Sequence, residues 1–190
     1  MGRWAQGNAE LARIGRLEKD RNVAGLIAEL GNEADYGRYT IIRSHAATAL
    51  GRLGDLRAVP HLAELAQDSE PVARHSAVRA LGKLKAKDAT QVIVSCLRDP
   101  EPMVRAAAAK SLGKLESTTV VPELYAVLDT DPHADVRLVA AQALVDLGDV
   151  PVRSRLDQAL RDVSWRVRHH PDRKRLRRLA DAYARRMEGP

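Results

Sequence analysis

Six histidines, one cysteine and a regular series of aspartates and arginines are the residues of this chain whose types could do chemistry. A metal site on a helix needs ligands one turn apart, such as a His pair at i and i+4 backed by a carboxylate. His45, His61, His75, His133, His169 and His170 supply no such pair, and the adjacent His169 and His170 would point in different directions on a helix. A lone Cys96 closes no disulfide and builds no cysteine-only metal site. Neither a glycine-rich phosphate loop nor a strained nucleophile turn occurs. The expectation is no catalytic residue, no metal and no cofactor, so the chain is read as not an enzyme.

The aspartates and arginines are regular instead. Asp68 and Arg74, Asp99 and Arg105, Asp131 and Arg137, and Asp162 and Arg168 each stand six residues apart, and the successive arginines follow at 31, 32 and 31. Arg43 stands 31 before Arg74, with Gly37 where its aspartate would fall. Three residues after the arginines come Ala46, Ala77, Ala108 and Ala140; seven after come Leu50, Leu81, Leu112 and Leu144; ten after come Leu53, Leu84, Leu115 and Leu147. Offsets of three, seven and ten share one helical face, so each arginine lies near the start of an amphipathic helix. Eight residues after the arginines stand Gly51, Gly82 and Gly113, and in the last unit Val145. A glycine there is expected to let the next helix approach closely and to end the turn.

A second helix follows in each unit, marked by AVPHL at 58–62, ATQVI at 89–93 and VVPEL at 120–124. The alignment puts Leu62, Ile93, Leu124 and Leu156 in one column and Leu65, Cys96, Val127 and Ala159 in another. Cys96 is accordingly read as a small core residue. Ala9 to Leu17 reads as a shortened first helix with Val23 to Leu30 as its partner, and Gly31 to Thr40 as a longer connection carrying Tyr36 and Tyr39. After Arg168 a final helix is expected from Asp172 to about Met187, apolar on Leu176, Leu179 and Tyr183.

The composition fits closely packed helices: 45% of the 190 residues are hydrophobic but only 3% aromatic, with no Phe, so the core must be built from Leu, Val, Ile and Ala. No run of about 18 apolar residues occurs, and the first residues lack a signal-peptide core; the expectation is a cytoplasmic protein with no membrane partner. The formal net charge of +6 is placed unevenly. Residues 161–190 hold ten Lys and Arg against four Asp and Glu, whereas the first 160 residues are balanced.

Units such as DPEPMVRAAAAKSLGKL followed by VVPELYAVLD resemble HEAT-like repeats, particularly the short variety named after phycobilisome lyases. The resemblance covers roughly Thr40 to Arg168. It implies an all-α, right-handed α-solenoid of about five helical hairpins with a C-terminal capping helix, first helices convex and second helices lining the concave layer. Residues 1–39 then form an atypical first unit and loop, 40–168 the regular repeats, and 169–190 a basic capping helix and tail. The resemblance also implies a structural ladder of Asp68, Arg74, Asp99, Arg105, Asp131, Arg137, Asp162 and Arg168 across successive units. HEAT-like deoxyhypusine hydroxylases hold iron with His-Glu pairs, which this chain lacks. A bilin-lyase-like role rests on repeat membership alone, which decides little because one fold hosts many functions.

The implied concave face carries Arg57, His61 and Glu64, then Lys87, Gln91 and Ser95, then Thr119, Glu123 and Ala126 with Tyr125 at the margin, then Arg155 and Gln158. Mixed in charge, it is expected to bind another protein or a peptide. The alternative is nucleic acid held by the basic C-terminal face, through Arg173, Lys174, Arg175, Arg177 and Arg178. The face assignment makes a checkable difference in urea unfolding. Leu112→Ala is expected to cost about 2 to 5 kcal/mol as a core truncation, and Glu123→Ala less than about 0.5 kcal/mol.

Overall fold

The computed structural model describes residues 3–31 and 38–148. Among them every regular element is helical: α1 (Arg3–Lys19), α2 (Val23–Leu30), α3 (Arg38–Leu53), α4 (Val59–Leu65), α5 (Pro71–Lys83), α6 (Thr90–Ser95), α7 (Pro102–Lys114), α8 (Val121–Thr130) and α9 (Ala134–Asp146). Odd-numbered helices are the first of each hairpin and even-numbered ones the second. The chain is an α-solenoid in which α3, α5, α7 and α9 pack side by side as one layer.

Local chemistry sets the helix starts. Pro71 and Pro102 open α5 and α7, where a missing N–H costs nothing because the first turn leaves it unpaired. Each proline holds the residue before it extended, Glu70 at φ −87° and ψ 120° and Glu101 at φ −88° and ψ 123°. The second helices start differently: Asp55 precedes a 3-10 turn over Leu56–Ala58, and equivalent turns cover Lys87–Ala89 and Thr118–Val120.

The register columns form the core. Ala46, Ala77, Ala108 and Ala140, then Leu50, Leu81, Leu112 and Leu144, are all buried, and Leu62, Ile93 and Leu124 meet them from the second helices. Where the layer is tightest, glycine is needed. A Cβ on Gly51 would lie 2.9 Å from Ala80 Cα, one on Gly82 would lie 2.8 Å from Ser111 Cα, and one on Gly113 would lie 2.9 Å from Ala143 Cα. Neighbouring first helices therefore touch backbone to backbone. Ser111 is tolerated there because its buried hydroxyl donates to Val78 O at 2.9 Å.

These glycines do not end the turns, as the sequence led us to expect. They lie inside their helices, and the chain reverses eleven residues after each arginine, at Gly54, Lys85, Glu116 and Gly148, all at positive φ. Two of the four are not glycine, so the left-handed conformation is imposed on Lys85 (φ 49°) and Glu116 (φ 55°) at a cost of about 1 kcal/mol each. The N-terminal elements also differ from expectation. Helix α1 is longer than Ala9 to Leu17, because no proline interrupts the residues before Ala9. Helix α3 begins at Arg38, so Tyr39 stands in its first turn, while Tyr36 lies outside the described residues.

Single-residue differences in unit length are absorbed at one place. In the 31-residue unit of α5 and α6 the second helix is α6 followed by a 3-10 turn over Cys96–Arg98; in the 32-residue unit of α7 and α8, α8 stays α-helical for ten residues to Thr130. A 3-10 turn rises about 2.0 Å per residue against about 1.5 Å for an α-helix, so nine residues of the first kind and ten of the second both span about 15 Å.

Glycine substitutions separate packing from propensity. Gly82→Ala is expected to destabilise by about 1 to 3 kcal/mol through overpacking, whereas Gly15→Ala, with nothing within 4 Å of the added Cβ, is expected to stabilise by up to about 1 kcal/mol. Thermal unfolding followed by circular dichroism measures both.

Candidate partner-binding groove

The residues that position the candidate site are the arginines and aspartates of the ladder. Arg74 Nε and Nη2 donate to the two carboxylate oxygens of Asp99 at 2.7 and 2.8 Å. Its Nη1 donates to the backbone carbonyls of Asp68 and Ser69 at 2.8 and 2.9 Å. Arg105 does the same one unit on, with Asp131 at 2.7 and 3.1 Å and with the carbonyls of Asp99 and Pro100 at 2.8 and 3.0 Å. Arg43 reaches the Asp68 carboxylate differently, through Nη1 and Nη2, and its Nε is buried without a hydrogen-bond partner. Arg74 and Arg105 thus each hold the backbone of their own unit's Asp loop and the carboxylate of the next. Arg137 Nη1 holds the Asp131 carbonyl at 2.7 Å; Asp162 and Arg168 lie outside the described residues.

Each aspartate is also fixed locally, because one oxygen accepts the N–H two residues on: Glu70 for Asp68, Glu101 for Asp99 and His133 for Asp131. Burial is the largest single influence on Asp99 and Asp131 and pushes their carboxyls up. The paired arginine, the accepted N–H and the neighbouring positive charges together outweigh it, leaving both below the usual carboxylate value.

Above the Arg105–Asp131 pair lies a groove of about 500 Å³. One wall is the end of the α6 hairpin arm, Val94, Leu97 and Arg98; the other is α8, with Pro122, Glu123, Ala126, Val127 and Thr130; Asp99, Arg105, Asp131 and Pro132 close its base. The groove exists because first helices touch at glycine while second helices are held apart by larger side chains. Glu123 Oε2 is buried without a hydrogen-bond partner, which leaves an acceptor whose need is unmet. Arg98 is exposed at the rim.

Of the residues expected on the binding face, the structure brings Glu123 and Ala126 into this groove. His61, Glu64, Lys87, Gln91, Ser95 and Thr119 are exposed elsewhere on the second-helix side. Tyr125 is half-buried against the core. Arg57 is clasped by its neighbour Asp55, with Nε and Nη2 at 3.0 and 2.8 Å from the two oxygens, and the Arg57 interaction lowers the Asp55 pKa to about 2. Arg155, Gln158, Arg173, Lys174, Arg175, Arg177 and Arg178 lie outside the described residues. The sequence did not disclose Val94, Leu97 and Arg98 as site residues, because in one dimension they look like helix packing and a solvated charge.

Chemistry of other kinds finds little to use. Cys96 is buried, with Sγ 3.7 Å from Ala66 O; burial first, and the charge of Asp99 second, push its thiol up, away from the reactive thiolate. Among the described residues no group of three or more His, Cys, Asp or Glu side chains could hold a metal ion. No helix among them is long and apolar enough to cross a membrane.

Comparison with known proteins gives matches to the model of HEAT repeats over residues 23–101, 64–145 and 94–170. No curated protein matches the sequence. Among solved structures, the complex of CpcE and CpcF of phycocyanin lyase from Nostoc sp. PCC7120 includes a chain 27% identical, with a TM-score of 0.65 and 80% of this chain covered. This chain spans 62% of that one. Human deoxyhypusine hydroxylase in complex with glycerol is 15% identical with a TM-score of 0.39, covering 95% of this chain and 96% of that one.

The buried ion pairs set the acid limit of the fold. Folded pKa values held below the unfolded ones give stability that is complete above the unfolded value, about 3.9, and lost as pH falls through the folded value. Urea unfolding between pH 7 and pH 2 is expected to show a loss beginning near pH 4. Asp131→Asn, which strands the buried Arg105, is expected to cost about 3 kcal/mol at pH 7 and to flatten the acid loss.

Proposed function

Because the chain belongs to the HEAT repeat family, we propose that it is a non-enzymatic scaffold that binds a segment of a partner protein in the groove between α6 and α8. The observation that carries this reading is the buried, unpartnered Oε2 of Glu123 in the wall it forms with Pro122 and Val127, across the groove from Val94 and Leu97. Such a wall suits a short segment that brings one cationic side chain to Glu123 and an apolar side chain beside it. A groove of this size takes a few side chains, which is the scale on which pockets anchor a larger contact. Arg98 at the rim suits a carboxylate on the same segment.

Support for a protein partner comes from the similar Nostoc chain, which is found in a complex of CpcE and CpcF. A non-catalytic role is supported by the use to which the candidate residues are put: the aspartates and arginines tie units together, and Cys96 fills a core position. A buried, unpaired thiol also supports the reducing cytoplasm as the compartment.

Selection of short extended peptides from a displayed library against the full chain tests the groove. Enriched peptides are expected to carry Lys or Arg next to an apolar residue, and Glu123→Lys is expected to weaken their binding at least about tenfold. Glu64→Lys, exposed on α4, should leave it unchanged. Peptides that bind Glu123→Lys as tightly as wild type would overturn the reading.

A further inference from the structure

The outer face of the first-helix layer carries a pattern that neither the ladder nor the groove uses. On α5, Val72, Arg79 and Lys83 are exposed, and on α7, Met103, Lys110 and Lys114 stand in the same register, also exposed. Offsets of seven and eleven residues are close to two and three turns, so each trio shares one helical stripe. Val72 and Met103 are large apolar side chains, 46% and 42% exposed. The cations lie about 10 to 16 Å along the helix axes from them.

The four cations have no carboxylate partner: every ion pair among the described residues involves other side chains. Their proximity is felt at Lys114, whose pKa is lowered by burial first and then by the charges of Lys110, Lys83 and Arg79. Like charges gathered without a counter-charge store repulsion that an anionic partner relieves.

The edges of the patch argue for what fills it. On α9 the equivalent columns hold Asp135 and Asp146, and on α3 the equivalent Arg52 is already paired with Glu18 at 3.3 Å. Among the equivalent columns of α3, α5, α7 and α9, the free cations therefore stand on the two adjacent helices α5 and α7. A phosphate backbone or an anionic bilayer extending over α9 would lie over Asp135 and Asp146. Between the two ends the stripe passes Ser76 and Ala107, small residues that leave a shallow path along α5 and α7. Arg79 and Lys83, like Lys110 and Lys114, are four residues apart, the spacing at which carboxylates on a facing helix also repeat.

We infer that the outer face of α5 and α7 is a second docking surface, and that it takes an acidic amphipathic helix of a partner protein. Its carboxylates meet Arg79, Lys83, Lys110 and Lys114, and its apolar side chains cover Val72 and Met103. About three to four turns of helix span the two ends. The surface is separate from the groove between α6 and α8, so the two stand or fall independently.

Fluorescence anisotropy with the full chain tests this. The probe is a labelled helical peptide about 27 Å long, with Glu at i and i+4 at one end and Leu on the same stripe two and three turns away. It is expected to bind at low salt, to weaken as salt rises, and to lose at least about tenfold in affinity in the Lys83→Glu, Lys114→Glu double variant. The same peptide with Lys for Glu should not bind. Val72→Ser with Met103→Ser should weaken binding while leaving the salt response in place, and Glu123→Lys should leave it unchanged. Absent binding, or equal binding by the double variant, would overturn the inference. So would binding of a short single-stranded oligonucleotide or of phosphatidylserine vesicles in place of the peptide.

Discussion

The spacing of the first helices governs the molecule, and it is set where side chains are missing. At Gly51, Gly82 and Gly113 one helix rests on the backbone of the next at a position held by Ala80, Ser111 or Ala143. The contact is short-range and unforgiving, since interiors pack like crystals and yield little to an added methyl group. Second helices meet no such constraint. Their interior columns hold Leu, Ile, Cys and Val, which keep neighbours further apart and open the space that α6 and α8 share. One layer is closed by small residues and the other opened by large ones.

The arginine ladder turns that spacing into a fixed register. A guanidinium has a planar fork, so one side chain can hold a carboxylate of the next unit and the carbonyls of its own loop at once. Arg105 does both while nearly buried. Buried ion pairs add little net stability compared with apolar packing, but their geometry is selective. The ladder therefore serves position more than strength. It sets the height at which each loop sits, and with it the base of the groove beneath Glu123.

Much of this was legible in the sequence because repetition multiplies weak signals. Ala108 alone says little, but Ala at 46, 77, 108 and 140 fixes a buried stripe. Contacts between units were only partly legible: the six-residue spacing pairs Asp99 with Arg105, whereas in space the Asp99 carboxylate answers Arg74 and only its carbonyl answers Arg105. Turn positions were misread because Lys85 and Glu116 carry no mark of positive φ; only Gly54 and Gly148 in the same column do. The groove was hidden for a different reason. It is made by residues of two units whose individual types, such as Leu97 and Arg98, are ordinary. The cationic stripe on α5 and α7 was hidden by a neutral total, since charge counting over 160 residues averages away a local excess.

The exchange of helix types at the ends of α6 and α8 bears on how such an array changes length over time. A residue gained at the end of a second helix is taken up by converting tight 3-10 turns into α-helix, so the next aspartate arrives at the same height. A residue gained inside a first helix has no such outlet: it would rotate everything after it by about 100° and swing the glycine away from its neighbour. Insertions and deletions of one residue are therefore tolerated at one edge of each unit and excluded from the other. The wall that Thr130 contributes to the groove is built from that tolerant edge, so the part of the scaffold that can vary in length is also the part that shapes what it holds.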